Sequence, residues 1–364
     1  MINLKKSILG LLLTTSTLCF SQQKSLTTVS GNTIAFEQLE QRLVHLMDSL
    51  NMPGLSIAFI NDNEIVYHNK LGVSNADTKQ KVNAQSIFEA ASLSKPVFAY
   101  FMMQMVQEGK LDLDKPIYQH LEKIFPEGLM DPQTLEEYKT ITARMVLSHS
   151  TGLPNWLEGE PLKLAFKPGN GFSYSGEAYQ HLAASFGTGL EIGWGKELDD
   201  LFIKEMAQPL GMEHSAFTWN EHFEKFKVNG HKNGKVNTAV HRDKKVGPGY
   251  SLKSDAYEYA LFLIEMMEPK LLSVELRDEM LKTHNVFDPE NTLAQETGQT
   301  GWGLGFAQKP TPNGLMHLHT GNNHDAQAYA MFVPEQQYGF VVFTNSDRLF
   351  EFIQGLEKLI EKQF

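Results

Sequence analysis

Strand-forming segments stand at both ends of this chain and helix-forming ones between them, so a large sheet can close only by bringing the two ends together. Near the start, Leu55-Ser56-Ile57-Ala58-Phe59-Ile60 and Glu64-Ile65-Val66-Tyr67-His68 are rich in β-branched and aromatic residues and flank Asn61-Asp62-Asn63, a hairpin signal. Near the far end, Leu315 to His319, Gln327 to Val333 and Tyr338 to Phe343 have the same character. Helical spacing covers Ala35 to Leu50 and Phe350 to Phe364, and central helix signals cover Pro96 to Gln107, Gln180 to Gly187, Glu197 to Met206 and Asp255 to Met267. The expected fold class is α/β in the α+β sense: an antiparallel sheet built from both chain ends, flanked by helices, with an inserted, mainly helical lobe. The sheet lobe should take residues 35–92 and 296–364, the helical lobe residues 93–295, with a cleft between them. No repeat or low-complexity tract points to an array.

The 364 residues suffice for a large core, but the first 21 read as a secretory signal. Lys5 and Lys6 precede the apolar run Ile8 to Leu13, and Cys19-Phe20-Ser21 gives small residues around a cleavage point after Ser21. That run is too short to span about 30 Å of hydrocarbon, so no transmembrane segment is expected in the mature chain. Leu18 disfavours a lipid anchor on Cys19 without excluding it. The expected location is therefore periplasmic or secreted, with residues 22–34 a polar linker. Cleavage would remove the single cysteine, leaving neither a disulfide nor a thiolate metal site. It would also remove two lysines, taking the formal charge from −11 to −13. That balance argues against nucleic acid or anionic lipid as a partner. Oligomeric state is not readable.

Chemistry concentrates at Ser92-Leu93-Ser94-Lys95, which opens the apolar helix signal. Residues three apart on a helix share a face, so the Lys95 amine would stand one turn from the Ser92 hydroxyl, as a nucleophile and its proton acceptor require. Pro96 fits a first turn, where backbone N–H groups have no intrahelical partner to lose. The same spacing at Ser21-Gln22-Gln23-Lys24, where no helix is expected, makes the pattern weak by itself.

Further landmarks in order make it specific: Pro53-Gly54, Gly109-Lys110-Leu111-Asp112-Leu113-Asp114, Leu147-Ser148-His149-Ser150-Thr151-Gly152-Leu153, Tyr174-Ser175-Gly176, Pro209-Leu210-Gly211-Met212, Gly303-Leu304-Gly305 and His319-Thr320-Gly321. With these the chain resembles the serine β-lactamase and penicillin-binding-protein superfamily, especially the branch of class C β-lactamases, D,D-peptidases and related esterases. The resemblance covers most of the chain and implies Ser92 as nucleophile, Lys95 and Tyr174 as an acid/base pair, and His319 completing the site, with no cofactor. Either Lys95 or Tyr174 could take the proton, and the two should titrate as a coupled pair. Gly321 would let substrate backbone approach the strand, Thr320 would line it, and the N–H groups of Ser92 and Asn322 would form the oxyanion hole. Histidine stands at 319 where the family often has lysine, which weakens carboxylate recognition. Gly176 replaces the asparagine whose amide holds a β-lactam's acylamide group, so either Glu177 or Asn323 substitutes or the substrate lacks that group.

The implied substrate is a small molecule or peptide: a D-alanyl peptide, a β-lactam or a short ester. A penicillin-recognising binding or sensor protein that acylates without turnover is the non-enzymatic alternative. A metal-dependent hydrolase would use His317, His319, His324 and Asp325, but their order does not match the metallo-β-lactamase pattern. Gly171-Phe172-Ser173-Tyr174-Ser175 ends in serine and so fails the nucleophile-elbow pattern. His149 is expected to shape a loop rather than to act as a base.

Overall fold

The computed structural model describes residues 25–360 except Val29 and Glu160. The expected signal segment and the last four residues of the expected C-terminal helix lie outside those residues.

The sheet has nine strands, all antiparallel: β1 (Gly54–Asn61), β2 (Glu64–Asn75), β3 (Gln80–Lys81), β4 (Asn285–Val286), β5 (Gly301–Trp302), β6 (Ala307–Thr311), β7 (Gly314–Asn322), β8 (Gln327–Val333) and β9 (Tyr338–Thr344), in the spatial order β4-β5-β6-β7-β8-β9-β1-β2-β3. Strand β9 pairs with β1, which joins the two ends of the chain as expected. The β1–β2 turn places Asp62 and Asn63 at φ 52° and 57°, the two left-handed residues of a tight hairpin turn that Asn and Asp tolerate.

Alternation along the strands divides the core. Leu55, Ile57 and Phe59 face one side, with Phe340 and Val342, under the helices α1 (Phe36–Ser49) and α6 (Leu349–Leu359). Ala58, Ile60, Val341 and Phe343 face the other, under α2 (Ser94–Gln107) and α5 (Ala256–Met267). Helix α2 is buried from Ser94 through Met105, so it is a core rod. Between it and the far strands lie α3 (Ala143–Leu147) and α4 (Gly176–Gly189).

Two expectations are corrected. Within residues 22–34, expected as linker, Ser25–Thr27 pairs with Thr33–Ala35 as a hairpin, because Leu26 and Ile34 give it an apolar face to bury. Strand β4 lies inside the stretch assigned to the helical lobe, where two residues are too few to show strand periodicity.

Candidate active site

The candidate pair, Ser92 and Lys95, stands where the chain enters α2. A short 3₁₀ turn, Ala91–Leu93, precedes the helix and places Ser92, half-buried, on the same side as Lys95. Ser94 fixes that turn: its hydroxyl donates to Ala91 O at 2.5 Å and accepts from Leu252 N at 3.0 Å. Ala91 sits at φ 48°, a left-handed conformation unfavourable for a residue with a Cβ, immediately before the nucleophile candidate.

Lys95 Nζ lies 3.1 Å from Ser92 Oγ and donates to Gly249 O at 2.9 Å, and the Ser92 hydroxyl itself is 3.3 Å from Gly249 O. The lysine is fully buried, and desolvation of the ammonium lowers its pKa to about 7. Burial alone accounts for that shift. Gly249, in the turn Gly247-Pro248-Gly249-Tyr250, has no place in the sequence reading. The density of glycine and proline there marked a loop, but nothing marked which carbonyl it would aim.

Tyr174 joins this pair from the loop before α4. Its ring centroid stands 4.7 Å from Lys95 Nζ, so the cation sits against the ring face. Burial pushes the Tyr174 phenol up, against a smaller lowering by a hydrogen bond with Ser92. A buried phenol next to an amine that is itself half neutral keeps its proton. Ser175 caps α4 by accepting from Ala178 N, and the two residues flanking Tyr174 are held by one side chain and its own backbone. His149 Nδ1 accepts from Ser175 N at 3.0 Å, and His149 O accepts from Ser173 N at 2.8 Å. His149 therefore shapes the loop. Its ring, 4.4 Å from that of Tyr174, is buried and neutral, its pKa lowered well below the usual range by burial, Lys95 and His319. Trp302, absent from the sequence reading, stands edge-on to His149, Tyr174 and His319 and closes the aromatic wall.

Strand β7 forms the third side. Pairing with β6 stops at Leu318, so residues 319–322 have β8 on one side only and leave an edge beside Ser92. A Cβ on Gly321 would stand 2.4 Å from Ala90 O and 3.2 Å from Ser92 N, which is why glycine is required there. His319 is buried, its pKa lowered to about 3 by desolvation and then by Lys95. Its Nδ1–H donates to Thr320 O at 2.7 Å, leaving Nε2 as an unpaired acceptor facing inward. Thr320 and Asn322 are exposed on the opposite face, along a groove of about 440 Å³ beside α6, and the Asn322 side chain accepts from His324 N.

The substitutes proposed for the missing asparagine are both engaged elsewhere. Glu177 meets His181 at 3.3 Å and accepts from Leu157 N, and the Asn323 amide donates to Glu89 at 2.6 Å. Trp156 instead packs on Gly176. As for metal, among the described residues no three His, Cys, Asp or Glu side chains gather to hold an ion. His317 is buried and stacked 5.2 Å from Phe332, and Asp325 accepts from Asn237.

A serine and a buried lysine at the head of a buried helix, under an antiparallel sheet made from both chain ends, fit a β-lactamase and penicillin-binding-protein-like architecture. Residues 39–361 match the family model described as Beta-lactamase, and the chain belongs to that family. It is 22% identical over 329 residues to Protein flp of Staphylococcus aureus strain MRSA252, covering 85% of this chain and 62% of that protein, so it spans about three-fifths of that relative's length. Among solved structures it is similar to the octameric penicillin-binding protein homologue from Pyrococcus abyssi, with TM-score 0.73, 22% identity, and 91% of this chain and 78% of that one covered. It is also similar to a class C beta-lactamase, with TM-score 0.72, 18% identity, and 91% and 99% of the two chains covered.

Proposed function

We propose that the protein is an exported serine hydrolase that acts on an amide, β-lactam or ester carbonyl through a covalent acyl-serine intermediate. The observation that carries this is Lys95: a buried amine 3.1 Å from the Ser92 hydroxyl, lowered to about 7, and therefore substantially unprotonated at neutral pH. In this reading Lys95 takes the Ser92 proton as Oγ attacks the carbonyl carbon. The N–H groups of Ser92 and Asn322 hold the oxyanion. Tyr174, protonated, passes its proton to the leaving group and is reprotonated by the Lys95 ammonium, which leaves Lys95 neutral again to take a proton from the water that later cleaves the acyl ester and to return it to Ser92 Oγ. His319 Nε2 accepts a hydrogen bond within the site rather than supplying a positive charge, which disfavours substrates bound by a carboxylate. The open edge at residues 319–322 leaves room for an extended substrate. No cofactor enters, and the partner is the small-molecule or peptide substrate.

The test follows a fluorescent penicillin and p-nitrophenyl acetate by intact mass and product release. An adduct on wild type that is lost in Ser92→Ala is expected, with turnover falling by about 10⁴-fold or more. Turnover that survives the substitution overturns the proposal, and a single burst without turnover would make the protein a binder. For export, the protein recovered outside the cytoplasm is expected to begin at Gln22.

A further inference from the structure

Trp156 occupies the space that a side chain at position 176 would need. A Cβ built on Gly176 would fall 2.5, 2.6 and 2.9 Å from three carbons of the indole, and one built on Gly249 would fall 2.7 Å from the same ring. The indole thus lies against two glycines at once, and neither position can carry a side chain while it stands there. Gly249 is the residue whose carbonyl receives both Ser92 Oγ and Lys95 Nζ, so the ring is one residue's thickness from the nucleophile. Its centroid is 6.0 Å from Lys95 Nζ, and Tyr250 meets it edge-on at 5.8 Å and 76°.

The polar groups nearby are spent. Asn323 donates to Glu89, the Glu177 oxygens face His181 and Leu157 N, and Asn155 Oδ1 accepts from Gly176 N at 3.0 Å. What this wall offers a substrate is an indole still 38% exposed, with Leu157 beside it equally exposed. A flat ligand would remove that apolar surface from water and meet two aromatic rings set at a right angle.

We infer that Trp156 recognises the acyl part of the substrate, and that the site takes acyl donors with a flat apolar acyl group, such as arylacetyl esters, in preference to acylamido ones. The inference deepens the acyl-serine reading and rests on it. Substitution of Gly176 for a larger residue and retention of Trp156 are then two halves of one choice, since the indole and an asparagine at 176 exclude each other.

The experiment measures kcat/KM for p-nitrophenyl acetate, p-nitrophenyl phenylacetate and p-nitrophenyl N-acetylglycinate, each normalised to spontaneous hydrolysis. Wild type is expected to favour phenylacetate over both others. Trp156→Ala should lower the phenylacetate-to-acetate ratio by about fivefold, and Trp156→Phe should keep it within about twofold. Gly176→Asn alone should lose turnover of all three. In the Trp156→Ala background the same change should raise the N-acetylglycinate-to-phenylacetate ratio. A ratio that Trp156→Ala leaves unchanged, or a wild-type preference for the acylamido ester, overturns the inference. Intact mass separates the two levels. An acetyl adduct on wild type that is absent in Ser92→Ala, together with an unchanged ratio, removes only the role of Trp156. Turnover of acetate that persists in Ser92→Ala removes the acyl-serine reading and this inference with it.

Discussion

Two lysines are buried in this fold, Lys95 and Lys253, and they are kept in different ways. Lys253 is buried against a carboxylate, with Nζ hydrogen-bonded to Asp243, and its charge also helps hold the Glu89 carboxyl below its ordinary value. Lys95 is buried with a hydroxyl and a carbonyl for partners and no carboxylate hydrogen-bonded to it. Lys95 is pushed towards neutrality, and burial is the cause. A buried amine whose partners are a hydroxyl and a carbonyl has no full negative charge beside it to offset the cost of desolvation.

The largest expected effect comes from replacing each lysine by methionine. Lys95→Met should reduce kcat/KM by about 10³-fold by removing the proton acceptor. It should also stabilise the fold at pH 7 by about 4 kcal/mol, because it relieves the cost of an amine whose pKa is about 7 when folded and 10.5 when unfolded. Since the unfolded chain binds the extra proton between those values, wild-type stability should rise with pH from about 7 towards 10.5, and that rise should vanish in the variant. Lys253→Met should do the opposite at pH 7, costing about 3–5 kcal/mol by taking from the buried Asp243 carboxylate its lysine partner. Denaturant titrations of both variants at pH 7 and 10 check the signs, and a loss of stability in both would break the comparison.

A smaller effect sharpens it. The rate depends on the free amine of Lys95, so kcat/KM should climb as pH rises through about 7, with a tenfold loss for each pH unit below. Turnover of p-nitrophenyl acetate from pH 5 to 9 reads this directly. An acid limb at carboxylate pH instead would assign the proton to a different group.

The two lysines also show what a sequence can and cannot say. Ser92 and Lys95 were legible because their relation is local: a helix start fixes what three residues of spacing mean. The sheet closed from both ends was legible for the same reason, since strand composition is written segment by segment. Gly249 was not, because its contribution is a backbone carbonyl arriving from 157 residues away in sequence. Glu177 and Asn323 were named as free amide substitutes because sequence shows a polar side chain and not its partner; His181 and Glu89 had already claimed them. Tyr174 was singled out by its motif and lies against Lys95, yet the direction of its pKa depends on burial, which a motif does not encode.

The smallest expected effect concerns His149, which stands against Tyr174, adjacent to the chemistry and outside the proton path. It adopts φ 57°, which Asn tolerates better than most residues, so His149→Asn preserves the backbone and removes the ring. The Ser175 N–H then loses its acceptor, costing about 1–3 kcal/mol of stability. The contact that aligns Tyr174 loosens with it. We expect kcat to fall about tenfold with KM nearly unchanged, because the loop positions a group used in proton transfer rather than one that binds substrate. The acid limb should stay at about 7, since it belongs to Lys95. Were the limb to move or disappear in His149→Asn, His149 would have to carry the proton itself, and the division drawn here between the groups that titrate and the groups that hold them would fail at this residue.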